Sequence, residues 1–178
     1  MRLRPPTWLR CLRYAVVALV PALSAPALAA DESELKAAIV FNLLMFTDWP
    51  DRAQPAPGAP WVLCVPPAHP AAAAFKPLHG RMLRGTRLAL QSWPAAAGAP
   101  TCHAAFVGDA DVAAGGDGPG SAPGLLLISD ARSPPRAAAI VLQPRDSKLV
   151  FRINLAAARH AELRLSAKLL RLAQGVQE

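Results

Sequence analysis

The sequence predicts an α/β domain: a mostly parallel sheet flanked by helices, with a C-terminal antiparallel hairpin and a C-terminal helix. Two observations carry this. Short, wholly apolar runs of strand length alternate with stretches of helical periodicity, the pattern of a sheet buried on both faces beneath helices. Late in the chain, "AIVLQ" (139–143) and "KLVFRINL" (148–155) are joined around Pro144–Ser147, a spacing that suits a hairpin.

The first thirty residues stand apart from this domain. Arg2, Arg4, Arg10 and Arg13 precede an apolar run from Ala15 to about Leu28, which closes on Ala27-Leu28-Ala29-Ala30. A basic start, an apolar centre and an A-x-A close are the parts of a secretory signal peptide. A membrane-spanning helix needs about 20 apolar residues, and Pro21 and Pro26 interrupt this run. Cys11 lies before the apolar run and not at the cleavage site, so it is no lipid anchor. The expected organisation is therefore a cleaved leader, 1–30, and a single domain, 31–178, long enough to bury one core.

Removing the leader changes the charge. The whole chain carries +7, but without the four leader arginines fifteen Lys and Arg face twelve Asp and Glu, a net +3. The cations are scattered and form no run, so a nucleic-acid partner has no support. Two cysteines remain, Cys64 and Cys102. In an oxidising compartment such a pair becomes a disulfide, worth roughly 4 kcal/mol in the chain-entropy account. With no CxxC and no paired histidines, metal binding is not expected.

Element by element, "DESELKAAIVFNLLMFTDWP" (31–50) reads as a helix with Leu35, Ala38, Ile39, Asn42, Phe46 and Trp49 on one stripe. Asp31, Glu32 and Glu34 suit its first turn, and Pro50 is its expected stop. "WVLCV" (61–65) is a buried strand, and "PAAAAFKPLHG" (70–80) a helix ended by Gly80. "TRLALQSW" (86–93), "CHAAFVG" (102–108) and "GLLLISD" (124–130) are further strands, the last two joined by a loose connection with room for a short helix. The final helix is expected from about Leu163 to Gln174, with Leu165, Leu169, Leu170 and Leu172 inward and Arg164, Lys168 and Arg171 in solvent.

Signatures of catalysis are missing. His69, His79, His103 and His160 lie far apart and form no metal-ligand spacing. Ser121 has prolines two residues to either side where a nucleophile elbow needs glycines. No phosphate-binding glycine motif occurs. Asp109, Asp111 and Asp130 follow strands, where an open α/β sheet binds ligands; the plainer reading, and the one preferred, is helix capping. Neither a catalytic residue, a metal site nor a cofactor is expected.

Three segments resemble the YfiR-like family of secreted bacterial proteins. "ELKAAIVFNLLMFTDWP" resembles its opening helix, with a central Asn42 and the closing Trp49-Pro50. "LCV" and "CHAAFVG" place Cys64 and Cys102 where the family has paired cysteines. "FRINL" and "LRLSAKLLRLA" are similar to its most specific run, with Asn154, Ser166 and Lys168 matching as well as the leucines. Asn154 is expected to cap the short turn that follows it, and these motif positions are read as mainly structural. The resemblance implies a periplasmic α/β protein, usually a homodimer, without known catalysis. The best-understood relative represses a membrane diguanylate cyclase through its periplasmic sensor domain, and so restrains cyclic-di-GMP signalling and biofilm formation. Relatives beside sensor kinases or outer-membrane receptors imply an alternative, a small-molecule or receptor-associated binding module. The chain departs from the family at "SPPRAAAIVLQ" (133–143), where relatives have a Gly-Gly-Met turn. A second cysteine pair, present in some relatives, is missing here.

Overall fold

The computed structural model describes residues 26–94, 101–115, 122–146 and 148–178. Most of the expected leader, Ser121 and Ser147 lie outside the described residues. In chain order the elements are α1 (Pro26–Met45), β1 (Thr47–Asp48), β2 (Trp61–Val65), α2 (Ala72–Phe75), β3 (Met82–Leu83), β4 (Thr86–Ser92), β5 (Ala104–Val107), α3 (Asp109–Gly115) and β6 (Leu126–Ser129). They continue with β7 (Ile140–Arg145), β8 (Lys148–Asn154), α4 (Leu155–His160), β9 (Arg164–Leu165), α5 (Ala167–Leu172) and β10 (Gly175–Gln177).

One eight-stranded sheet runs in the order β10-β8-β7-β6-β5-β2-β4-β3, and β1 pairs with β9 in a separate two-stranded ribbon. The steps from β4 across β2, β5 and β6 to β7 are parallel. The expected hairpin is present, with β7 antiparallel to β8 from Ile140↔Ile153 to Arg145↔Lys148. It does not form the sheet edge, because β10 adds in parallel outside β8. At the other edge β3 turns back antiparallel on β4.

Alternation sorts the strand residues onto two faces. Trp61, Leu63, Phe106, Leu126, Ile128, Ile140 and Ile153 point to the main core, which also takes Val40 and Leu43 of α1, Phe75 of α2, Ala158 of α4 and Leu169 of α5. Val62, Cys64, Ala105, Val107 and Leu127 point the other way, into a smaller cluster. β2, β5 and β6 are buried at every position, which is why they read as apolar runs, broken only by Ser129 at the end of β6. The first half of β7 alternates buried Ile140 and Leu142 with half-buried Val141 and Gln143, and β8 is mostly half-buried or exposed with only Ile153 buried, so these outer strands are less covered than β2, β5 and β6.

Three helices differ from expectation. α1 starts before the acidic residues and stops at Met45, five residues short of Pro50. Its buried side is Ala37, Val40, Leu43 and Leu44, while Leu35, Ala38 and Asn42 of the expected stripe are exposed. "KAAIVFNLLMF" is apolar at almost every position, so periodicity had little polar contrast from which to pick the side. At the stop the Thr47 hydroxyl donates to Leu43 O at 2.8 Å, in the place a continuing helix would give to the Thr47 amide. The expected C-terminal helix breaks into three pieces. Leu165 is in β9, paired with Thr47, and the helix proper is one and a half turns long before the chain extends as β10. Leu169 is buried, Leu165 and Leu170 are half-buried, and Leu172 is 62 % exposed. Arg164, Lys168 and Arg171 are in solvent, as expected. The helix expected over 70–80 is also shorter: α2 ends at Phe75, a 3-10 turn over Lys76–Leu78 continues the chain, and Gly80, with φ +80°, lies beyond both.

Candidate functional site

The chain leaves β2 for β4 on one side and then returns to place β5 on the other. That reversal is the topological switch point, and the carboxyl ends of β2, β5 and β6 there are where an open α/β sheet binds ligands. In this protein the position holds a charge network. His69 follows β2, Gly108 follows β5, Asp130 follows β6, and Lys36 reaches in from α1. Lys36 Nζ lies 2.8 Å from Asp130 Oδ2 and 3.0 Å from Glu32 Oε1. His69 Nε2 lies 3.0 Å from Asp130 Oδ1. The Ala71 amide donates to His69 Nδ1 at 3.0 Å, so that nitrogen carries no proton and the ring donates to Asp130 through Nε2–H. The ring packs on Phe106 at 4.9 Å.

The groups are largely shielded from water, His69 buried and Asp130 and Lys36 partly so. The side chains of His69, Asp130 and Lys36 retain 3, 12 and 17 % of their exposure. Gly108 permits the closure: a Cβ there would stand 2.8 Å from His69 Nε2. Burial alone would raise the Asp130 pKa. The hydrogen bonds from His69 and Lys36, with the Lys36 charge, outweigh it and hold the carboxyl below its ordinary value. Burial alone would lower Lys36; its bonds to Asp130 and Glu32 and their charges hold it above its ordinary value instead. Both imidazole nitrogens and both carboxylate oxygens are engaged, and the Ser129 hydroxyl accepts from the Ala131 amide at 3.1 Å. The cluster clamps α1 and the loop after β2 onto the sheet and presents no free base or nucleophile.

The three aspartates expected as caps therefore separate. Asp111 Oδ2 accepts from the Gly108 amide at 2.8 Å, the reach-back bond of a helix start. Asp109 Oδ1 accepts from the Arg132 amide at 2.8 Å and ties two strand ends together. Asp130 caps nothing; it is the centre of the network. Its partners Lys36 and His69 are 94 and 61 residues away in sequence, so no local spacing could have joined them.

The family-motif residues are placed elsewhere, at the seams of the fold. Trp49 Nε1–H donates to His103 O at 3.1 Å and stacks on Trp61 at 4.7 Å, which brings the first two motif segments together. His103 Nδ1 accepts from the Val62 amide at 2.9 Å. Cys64 and Cys102 form a disulfide with their Cα atoms 5.8 Å apart, in the smaller cluster. Asn154 caps α4, its Oδ1 accepting from the Ala157 amide at 3.0 Å, as expected. Ser166 caps α5, its Oγ accepting from the Leu169 amide at 3.2 Å. Lys168 lies over the Phe46 ring at 4.9 Å, so it joins the last motif to the end of α1. Asn42 is on the exposed side of α1. His79 Nδ1 accepts from the Leu90 amide, and His160 is an exposed residue in the last turn of α4.

His103 makes the pH dependence predictable. Burial lowers its pKa below the ordinary value near 6.5, and Nδ1 must stay unprotonated to accept from Val62. The folded chain thus binds the proton less readily than the unfolded chain. The stability from this group is complete above pH 6.5 and is lost as pH falls from there toward the folded pKa. Melting temperature should fall on going from pH 7.5 to 5, and His103→Asn, which keeps an acceptor but cannot titrate, should flatten that fall. A variant with the wild-type slope would assign it to other groups.

Among the described residues no set of three His, Cys, Asp or Glu side chains is placed to hold a metal ion. No helix among them is long and apolar enough to cross a membrane. The described residues thus form a disulfide-bonded, mostly parallel α/β domain with a clamped switch point, whose motif residues join its own segments. Residues 33–174 match the family model described as YfiR/HmsC-like, and the chain belongs to that family, a periplasmic and regulatory one not known for catalysis. No curated protein matches it.

Proposed function

We propose that the protein is exported through a cleaved leader, residues 1–30, and that residues 31–178 act in the periplasm as a homodimeric regulator. It docks on the periplasmic domain of a membrane-bound diguanylate cyclase and represses cyclic-di-GMP synthesis, restraining biofilm formation. Family membership across almost the whole domain carries this reading. The disulfide suits an oxidising compartment. The clamped network and the capping roles of Asn154 and Ser166 support a protein that works by its surface. Deleting the gene should raise cellular cyclic-di-GMP, and a plasmid copy should restore it; an unchanged level in every growth condition would count against the reading.

The groove between α1 and α2 favours a second reading, a small-molecule binding module acting with a sensor kinase or an outer-membrane receptor. It measures about 680 Å³, is lined by Ala37, Ala74 and Leu78, and carries Glu34 and Arg81. A thermal-shift screen separates the two: a stabilising ligand supports the second, and recovery of a cyclase on the immobilised protein supports the first.

A further inference from the structure

The two faces of the outer strands are covered unequally. On one face Leu142, Phe151 and Ile153 meet the core. On the other, the registers Val141↔Arg152, Gln143↔Val150 and Arg145↔Lys148 place those six residues side by side. Val141, Gln143 and Val150 are half-buried there, while Arg145, Lys148 and Arg152 are exposed. β10 extends this face, with Gly175 beside Arg152 and Gln177 beside Asn154. At its margin lies a depression of about 220 Å³ formed by Pro134, Pro135, Arg136, Arg152, Asn154 and Gln177. These prolines and Arg136 belong to the segment where the chain departs from the family's Gly-Gly-Met turn.

The charge on this face is one-sided. Arg136, Lys148 and Arg152 have no carboxylate partner among the described residues, and Arg145 has only the exposed Asp146 at 3.8 Å. No acidic side chain lines the depression. Elsewhere the exposed arginines Arg52 and Arg84 do have carboxylates, Glu162 and Asp48. Guanidinium groups in a fixed fork suit a carboxylate, and two facing one depression make a seat for it. The half-buried valines beside them supply apolar contact area.

We propose that the open β7–β8–β10 face is the surface that recognises the partner, and that it takes an acidic segment of the partner's periplasmic domain, with one carboxylate seated between Arg136 and Arg152. This rests on the regulatory reading above and names its surface. Proline at 134 and 135 holds the chain that carries Arg136 in a restricted conformation, so less is lost when the contact forms.

Two measurements test it. In the first, a deca-aspartate peptide is titrated into the ¹⁵N-labelled mature domain, with deca-asparagine as the uncharged control. Amide shifts confined to 134–154 and 175–177, weakening several-fold as salt rises past the point where the Debye length falls below about 8 Å, support the face. Arg136→Glu/Arg152→Glu should bind the peptide at least about tenfold more weakly, and Lys76→Glu/Arg87→Glu, at the opposite side of the sheet, as wild type. Shifts elsewhere, or none, overturn the proposal, and this map is made on the wild-type protein and does not depend on how a variant folds. In the second, the deletion strain is complemented. Arg136→Glu/Arg152→Glu, exported and melting as wild type, should leave cyclic-di-GMP as high as in the deletion. If it restores repression, the face is overturned and the regulatory reading stands. If deletion itself changes nothing, the cyclase reading falls, and the peptide map still decides whether this face takes an acidic chain.

Discussion

Asp130→Ala will cost about 3–5 kcal/mol of folding stability, the penalty for stranding one partner of a buried ion pair. Lys36 keeps 17 % of its side-chain exposure and would retain only the half-exposed Glu32 as a counter-charge. The His69 Nε2–H would lose its only acceptor, because Nδ1 is already taken by the Ala71 amide. Against the ~5–15 kcal/mol that holds a typical domain together, such a loss leaves the fold marginal. At about 2–4 °C per kcal/mol for a chain of this size, melting falls by roughly 10 °C. Lys36→Met/Asp130→Leu, which removes both charges, should cost less than Asp130→Ala alone. Gly108→Ala should act in the same direction by driving a methyl group against His69. Urea unfolding of the four proteins measures this, and a loss below about 1 kcal/mol for Asp130→Ala would show that the clamp does not hold α1. The network also has its own acid limb. The Asp130 pKa is lower folded than unfolded, so its contribution is present above the ordinary value of 3.8 and is lost as pH falls through the folded value. The Asp130 loss starts at 3.8 and the His103 loss at 6.5, so the acid profile is expected to start in two steps, with His103→Asn removing the upper one.

Opening the disulfide should be nearly as costly. Cys64 and Cys102 are 38 residues apart, and the loop they close contains α2, β3 and β4. Closing a loop of that length removes roughly 4 kcal/mol of freedom from the unfolded chain. Cys64→Ala/Cys102→Ala should therefore melt roughly 10 °C lower, and reductant should lower the melting temperature of the wild type by a similar amount while leaving the variant unchanged. Thiol titration in denaturant gives the direct check: none in periplasm-purified protein, two after reduction. Both cysteines are buried beside Val62 and Ala105, so loss of packing adds to the entropic part.

The strands were legible because burial writes itself into composition. β2, β5 and β6 are covered on both faces, so apart from Ser129 at the end of β6 their residues are all apolar. The hairpin was legible from its turn, and the α4 cap from the polarity of Asn154; the Ser166 cap was not. The side of α1 was not, because a helix apolar nearly all round can be placed in several rotations, and only the packing partners choose one. The end of α1 and the start of the last helix were misread for a shared reason: Thr47 and Leu165 are paired across 118 residues, and a two-residue ribbon leaves no periodicity to detect.

The sequence by itself determined the α/β class, which segments form the main strands, the cysteine pair and the family, since each depends on local composition or on motifs of a few residues. The Lys36–Asp130–His69 clamp, the pairing of Trp49 with His103, the β10 edge and the basic face beside Arg136 were decided only by the tertiary structure. Each joins groups from distant parts of the chain. The reason is geometric: sheet order and twist set which strand ends converge, and that order depends on the free energy of the whole packed core and not on any one segment.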